Sequence, residues 1–138
     1  MPILTVLLSS PPSVATSEKV AAKLSSLTAG ILHKKPELTS IAIQHVDAAH
    51  WFVGGPSLAQ QRKTSFFLDI RITDETNTAD EKARYISTVF SEMADILGDL
   101  HHESYVHVHD VRAAAYGFGG LTQQYRAVTA QAGLEHRA

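Results

Sequence analysis

One stretch of this chain occurs twice, and it decides the fold. Residues 41–55 read IAIQHVDAAHWFVGG, residues 106–120 read VHVHDVRAAAYGFGG, and the two align without a gap. In each copy an alternating run rich in β-branched residues leads through two alanines to an aromatic residue and a final Gly-Gly pair. The alternation predicts a strand, and the glycines predict a short hairpin after it. We therefore interpret the chain as an internal duplication.

Each copy is preceded by a helical pattern and, before that, by another strand. Apolar residues recur at spacings of three and four in the helical stretches, which places them on one face of each helix. The loop before the second helix is rich in residues that cap helices. The predicted elements are strand 2–8, helix 17–32 and strand 39–46 in the first unit, and strand 66–73, helix 79–97 and strand 104–111 in the second.

Two β-α-β units predict an α+β fold, a four-stranded mixed sheet with both helices on one face. Right-handed crossovers make the strands within each unit parallel. The opposite face is then expected to carry apolar side chains that no helix of the chain covers, and this predicts oligomerisation. We expect a single domain over residues 1–138, made of repeat one (about 2–55), a linker (56–64), repeat two (about 65–126) and a tail (127–138).

The composition excludes several classes of function. The 138 residues contain no cysteine, which excludes disulfides and thiolate chemistry and fits a reducing, cytoplasmic location. The formal net charge is −2 and the basic residues form no stripe, so no nucleic-acid partner is indicated. The apolar stretches are too short to span a bilayer, so no membrane role is expected.

The second residue adds a feature that the duplication does not explain. Pro2 directly precedes the first strand, and together with the two units it makes the chain resemble the tautomerase superfamily. The second unit, ending in Tyr116-Gly-Phe-Gly-Gly120, resembles a 4-oxalocrotonate tautomerase subunit. The whole chain is similar in layout to the macrophage migration inhibitory factor and cis-3-chloroacrylic acid dehalogenase branches. The resemblance implies a homotrimer with its sites at subunit interfaces, a small carboxylate substrate and no cofactor.

The resemblance implies that Pro2 is the catalytic base. Removal of Met1 would expose a secondary amine, and a free α-amine titrates near about 7.7–8.0. Burial or a neighbouring cation disfavours the charged form and lowers that pKa. A neutral amine can take a proton from the substrate and return it to another carbon, which is what keto–enol isomerisation requires. If Met1 is retained, the proline nitrogen is an amide and cannot act as a base.

Six further residues are expected to bind the substrate. Tyr105 and His107 alternate with valines on one strand face, and the resemblance places them in the site of the adjacent subunit. It makes Tyr116 and Phe118 hydrophobic walls around the proline. It also suggests Lys35 and Arg71 as cations for the substrate carboxylate, since a guanidinium binds carboxylates in a bidentate manner.

Other chemistries remain open alternatives. The run from His107 to Asp110 has the alternating histidines and the carboxylate of some metal sites, but a third convergent ligand is lacking, and we expect no metal. Dehalogenase relatives carry a water-activating carboxylate where this chain has Ala115, which favours proton transfer over hydration. A related dehalogenase, hydratase or decarboxylase remains the alternative, as does a non-catalytic trimeric binding domain.

Overall fold

A computed structural model describes residues 1–133, so residues 134–138 of the expected tail lie outside the described part. The elements of regular structure follow one another in the order that the repeat predicts, with short additions around the Gly-Gly pairs. They are β1 (Ile3–Leu8), α1 (Val14–Leu32), β2 (Ser40–His45), α2 (Leu58–Gln61), β3 (Phe66–Thr73), α3 (Ala79–Leu97), β4 (Tyr105–Val111), β5 (Gly117–Phe118), β6 (Leu121–Thr122) and α4 (Gln123–Gln131).

The four long strands form one mixed sheet in the order β2-β1-β3-β4. β1 is parallel to β2, β3 is parallel to β4, and the two units meet through the antiparallel pair of β1 and β3. Ile3 therefore lies opposite both Ser40 and Arg71. The predicted α+β class, with parallel strands in each unit and a mixed four-stranded sheet, is confirmed.

Both long helices pack on one face of this sheet, because the strands alternate between buried and exposed side chains. Leu4, Val6 and Leu8 of β1 are fully buried beneath the helices. The two helices are also joined to each other by a buried hydrogen bond of 2.8 Å between Thr28 of α1 and Tyr85 of α3. α1 begins three residues earlier than predicted because the Ser13 hydroxyl caps its first turn.

The duplication extends further along the backbone than the aligned stretches. After each Gly-Gly pair the chain turns back into a short capped helix, α2 or α4, which the sequence analysis did not predict. The amide of Leu58 donates to the carbonyl of Trp51 at 2.8 Å, and the amide of Gln123 donates to the carbonyl of Tyr116 at 2.7 Å. Since Trp51 and Tyr116 are aligned in the repeat, the two hairpins are built alike.

The face of the sheet away from the helices is less apolar than expected. Asp69 lies at its centre, with Oδ1 3.6 Å from Nε of Arg71 and Oδ2 3.9 Å from Nδ1 of His107. The rings of His107 and His109 stack at 5.4 Å. The expected apolar face is therefore polar in its middle. Within residues 1–133, no helix has the length and apolar character needed to cross a membrane.

Candidate active site

Pro2 is buried at the point where β1 enters the sheet. Its carbonyl accepts a hydrogen bond of 3.1 Å from the amide of Ser40, which fixes the start of β1 against β2. On the other side the next residue, Ile3, pairs with Arg71 of β3. Since β1 is an interior strand, the nitrogen of Pro2 is held between its neighbours and its position is determined by the sheet.

Tyr116 is the aromatic residue that reaches this end of the sheet. Its hydroxyl donates to the carbonyl of Met1, the group bonded to the Pro2 nitrogen, and lies 3.2 Å from the carbonyl oxygen of Arg71. Burial raises the pKa of Tyr116, so the phenol keeps its proton and acts as a donor. The structure thus brings the predicted wall residue Tyr116 beside Pro2.

Two lysines make the surroundings of the N-terminus positive. Burial is the main cause of the lowered pKa of the Met1 amine, and the charges of Lys34 and Lys35 lower it further. Lys35, the residue expected from the sequence, is exposed, whereas Lys34 is half-buried and donates to the Thr76 hydroxyl at 2.8 Å. Burial lowers the pKa of Lys34 as well. Lys34 is therefore the more enclosed cation, and the sequence analysis missed it.

The loop before α3 holds Lys34 in place. Asn77 donates to the carbonyl of Leu32 at 3.0 Å, which ties the end of α1 to the start of α3. Thr78 and Glu81 form a capping box that fixes the first turn of α3. A lysine directly after a helix end is usually explained by the helix dipole, so the sequence alone gave no signal for its contact with Thr76.

The backbone of Arg71 contributes to the site around Pro2, but the side chains of Arg71 and Phe118 have other partners. The backbone of Arg71 belongs to the site through Ile3 and Tyr116, but its side chain lies on the open sheet face beside Asp69. Phe118 is covered by a second cation that the sequence analysis missed, Arg126. The guanidinium of Arg126 lies 3.9 Å from the ring centroid of Phe118 and donates to its carbonyl at 3.0 Å.

Tyr105 and His107 lie away from Pro2 of their own chain. Tyr105 pairs with Phe67 near the start of β3, while Pro2 precedes Ile3, which pairs with Arg71 further along the same strand. Both side chains project from the exposed face of β4. A role for them in substrate binding therefore requires the Pro2 of another copy. Among the described residues, no group of three histidines and carboxylates comes together as a metal site.

Solved structures of low sequence identity share this architecture. The structure of a native fused 4-OT can be superposed on 91% of this chain and over 98% of its own length, with a TM-score of 0.78 and 21% sequence identity. A match over 91% of the chain takes in both repeats.

The chain has the fused tautomerase fold.

A member of the cis-3-chloroacrylic acid dehalogenase family shares the tautomerase fold at 18% identity and TM-score 0.70, over 96% of each chain. A macrophage migration inhibitory factor homologue from Prochlorococcus marinus shares it at 17% identity and TM-score 0.71, over 87% of this chain and 97% of that one. The sequence matches no family model and no curated protein. At these identities the comparisons establish the fold, and the predicted resemblance to the superfamily is confirmed at that level.

Proposed function

We propose that this chain is a tautomerase that interconverts the enol and keto forms of a small α-keto carboxylate. The observation that carries the proposal is the position of Pro2. It is buried at the end of an interior strand beside a tyrosine donor, and burial together with the charges of Lys34 and Lys35 lowers the pKa of the adjacent Met1 amine. Removal of Met1 would leave the Pro2 nitrogen as a secondary amine in the same surroundings.

The chemistry follows from these groups. A neutral amine accepts the proton of the enol hydroxyl, and the resulting ammonium group donates a proton to the neighbouring carbon to give the ketone. Lys34 supplies a positive charge for the substrate carboxylate, and Lys35 adds to the local potential. Tyr116 keeps its proton and is suited to donate a hydrogen bond to the oxygen that becomes negative during the transfer.

The proposed active form is a homotrimer with a site at each subunit interface. Two fused 4-OT structures that share this fold are trimers, one asymmetric and one symmetric. The exposed positions of Tyr105 and His107 support an assembly in which they face the Pro2 of a neighbouring subunit. Sedimentation of the untagged protein tests this proposal, and a monomer at micromolar concentration would contradict it.

The decisive experiment is ultraviolet-monitored ketonisation of phenylenolpyruvate and 2-hydroxymuconate by protein whose intact mass shows that Met1 has been removed. The expected result is a rate well above that of buffer, which falls by about 10²-fold or more in Pro2→Ala. Thr5→Ser, an exposed change on the same strand, serves as the matched control and should retain the wild-type rate.

Two outcomes would redirect the proposal. Correctly processed wild type without ketonisation would favour a related dehalogenase, hydratase or decarboxylase, to be tested with haloacrylates and oxo acids. Complete retention of Met1 in the native protein would favour a non-catalytic binding domain, because an amide nitrogen has no basic lone pair.

A further inference from the structure

We propose that Ser17 and His45 form a second catalytic site, which hydrolyses small uncharged carboxylic esters. Ser17 is the fourth residue of α1, and His45 is the last residue of β2. The Oγ atom of Ser17 lies 3.3 Å from Nε2 of His45. Neither Tyr105 nor His107 lines the cavity beside this pair, so the site is separate from the one proposed around Pro2.

Hydrogen bonds determine which nitrogen of His45 can act as a base. The carbonyl oxygen of Ser10 lies 3.0 Å from Nδ1 of His45. Since a carbonyl oxygen only accepts, Nδ1 carries the proton, and Nε2 of the neutral ring keeps its lone pair. The Ser17 hydroxyl therefore donates to Nε2. A hydroxyl that donates to an imidazole, with the other ring nitrogen oriented by a third group, is the arrangement that activates serine as a nucleophile.

The fold does not require this particular pair of residues. α1 and α3 each have 19 residues and align in the same register as the repeated strands, so Ser17 corresponds to Lys82 and His45 to Asp110. Nζ of Lys82 lies 2.6 Å from Oδ2 of Asp110. An ion pair thus joins helix to strand in the second unit. The first unit joins the same two positions with a nucleophile and a base.

A cavity lies beside the Ser17 hydroxyl. Its volume is about 490 Å³, which is within the range of small-molecule pockets. Of the described residues that line it, Glu18 is the only acid, and neither lysine nor arginine is present. Val14 is 77% exposed, which is unusual for a side chain of its type. The apolar part of the wall suits an uncharged acyl group, and it is formed by Pro12, Val14, Ala21, Ile41 and Ile43.

The beginning of α1 supplies donors for the negative charge that develops on the ester oxygen. The hydroxyl and the carbonyl of Ser13 accept hydrogen bonds from the amides of Thr16 and Ser17. The amides of Val14 and Ala15 donate to no acceptor within the described part of the chain. Unpaired amides at the positive end of a helix dipole stabilise a nearby anion. An oxyanion formed beside Ser17 therefore has donors close to it.

The reaction follows the usual course of acyl transfer to serine. Oγ of Ser17 attacks the ester carbonyl carbon while Nε2 of His45 takes the hydroxyl proton. The proton passes to the departing alkoxide as its C–O bond breaks, and the acyl group remains on Ser17. Water then gives a proton to Nε2 and attacks the acyl carbon. The bond to Oγ breaks, the proton returns to Oγ, and the carboxylic acid leaves.

Hydrolysis of p-nitrophenyl butyrate by the full chain tests this site. We expect saturable turnover, and a fall in kcat/KM of about 10²-fold or more in Ser17→Ala and in His45→Gln. A glutamine amide can hydrogen-bond to Ser10 and Ser17 but is not a base, so His45→Gln separates catalysis from a structural contact. Ser26→Ala, an exposed change on the same helix, is the matched control and should keep the wild-type rate.

Covalent labelling locates the nucleophile. Diisopropyl fluorophosphate forms a phosphoester with an activated serine, and peptide mapping should find the label on Ser17 of wild type and not on Ser17 of His45→Gln. Exposed imidazoles and the N-terminal amine also react with activated esters, so the position of the label is measured together with the rate. Circular dichroism verifies that Ser17→Ala and His45→Gln fold.

Four results would overturn the proposal. Turnover that persists in Ser17→Ala would mean that exposed imidazoles hydrolyse the ester. A label confined to the N-terminal amine would assign the reactivity to the site at Pro2. Unchanged turnover and labelling in His45→Gln would leave Ser17 and His45 as a structural contact between α1 and β2. Wild type without turnover and without label would exclude ester hydrolysis at this pair.

Discussion

The hydroxyl of Tyr116 donates to the carbonyl of Met1, so the second repeat contributes a donor to the peptide group that contains the Pro2 nitrogen. The contact joins residues that lie 115 positions apart in the sequence. Each repeat alone would lack half of this arrangement, because the strand that carries Pro2 and the hairpin that carries Tyr116 belong to different units.

Tyr116→Phe tests whether this hydroxyl takes part in the reaction. We expect kcat/KM for ketonisation of phenylenolpyruvate to fall about tenfold, the equivalent of one hydrogen bond to a developing charge. Tyr125→Phe is the matched control, since Tyr125 is 51% exposed on α4, and it should leave the rate unchanged. Equal rates for Tyr116→Phe and wild type would leave the tyrosine with a packing role only.

The pH dependence of the reaction tests the lysines. The Pro2 amine must be neutral to act as a base, so the rate should rise with pH through its pKa, which we expect to be lowered by the same burial and lysine charges that lower the pKa of the Met1 amine. Lys34→Met removes a positive charge, which raises that pKa and moves the ascending limb of the pH–rate profile to higher pH. Lys63→Met, an exposed change at the other end of the sheet, should leave the limb in place. A limb that does not move in Lys34→Met would contradict the assignment.

The raised pKa of Tyr85 predicts that the folded chain loses stability at alkaline pH. Burial raises its pKa to about 12 in the folded chain, whereas the unfolded value is 10.0. Between these values the unfolded chain has released the proton that the folded chain retains, so unfolding becomes favoured as pH rises. Stability is complete below pH 10, and about 2–3 kcal/mol should be lost by pH 12.

Urea unfolding from pH 9 to 12 measures this effect. Tyr85→Phe should be less stable than wild type at pH 8 by about 1 kcal/mol, because Thr28 loses its partner. The same variant should show a shallower decline at alkaline pH. Parallel declines in the two proteins would show that other groups cause the loss.

The variant Gly117→Ala tests whether the shape of the second hairpin is needed to position Tyr116. A β-carbon there would lie 2.1 Å from the carbonyl oxygen of Leu121, so Gly117→Ala must displace the β5–β6 turn and, with it, Tyr116. We expect ketonisation to be lost and stability to fall by on the order of 1–3 kcal/mol. Gly30→Ala provides the comparison, because nothing lies within 4 Å of the added carbon in α1. It should stabilise the chain by about 0.5–1 kcal/mol.

The parts of the fold with strong periodic patterns could be read from the sequence. β3 and α3 have the predicted bounds because alternation and a capping box mark them locally. The two short helices after the hairpins were missed, since each has too few residues to show a period. Their caps, Ser57 and Thr122, lie in stretches that read as turns.

Within the candidate site, Pro2 is the residue that the sequence indicates on chemical grounds. Pro2 could be singled out because of its position next to Met1. The preference for Lys34 over Lys35 depends on a contact with Thr76 from a loop of the other repeat, and no local pattern encodes it. The polar centre of the open face was missed because Asp69 and His107 meet only when β3 and β4 pair in register.

The antiparallel pairing of β1 and β3 has a consequence for how such a chain can diversify. It sets the beginning of one unit against the end of the other, so the hairpins that carry Trp51 and Tyr116 lie at opposite ends of a six-residue strand, roughly 20 Å apart. Within one chain, Trp51 and Pro2 therefore lie at different ends of the sheet. After the duplication, natural selection could change the side chains at one end while the other end kept Pro2, a freedom that an unduplicated subunit does not have.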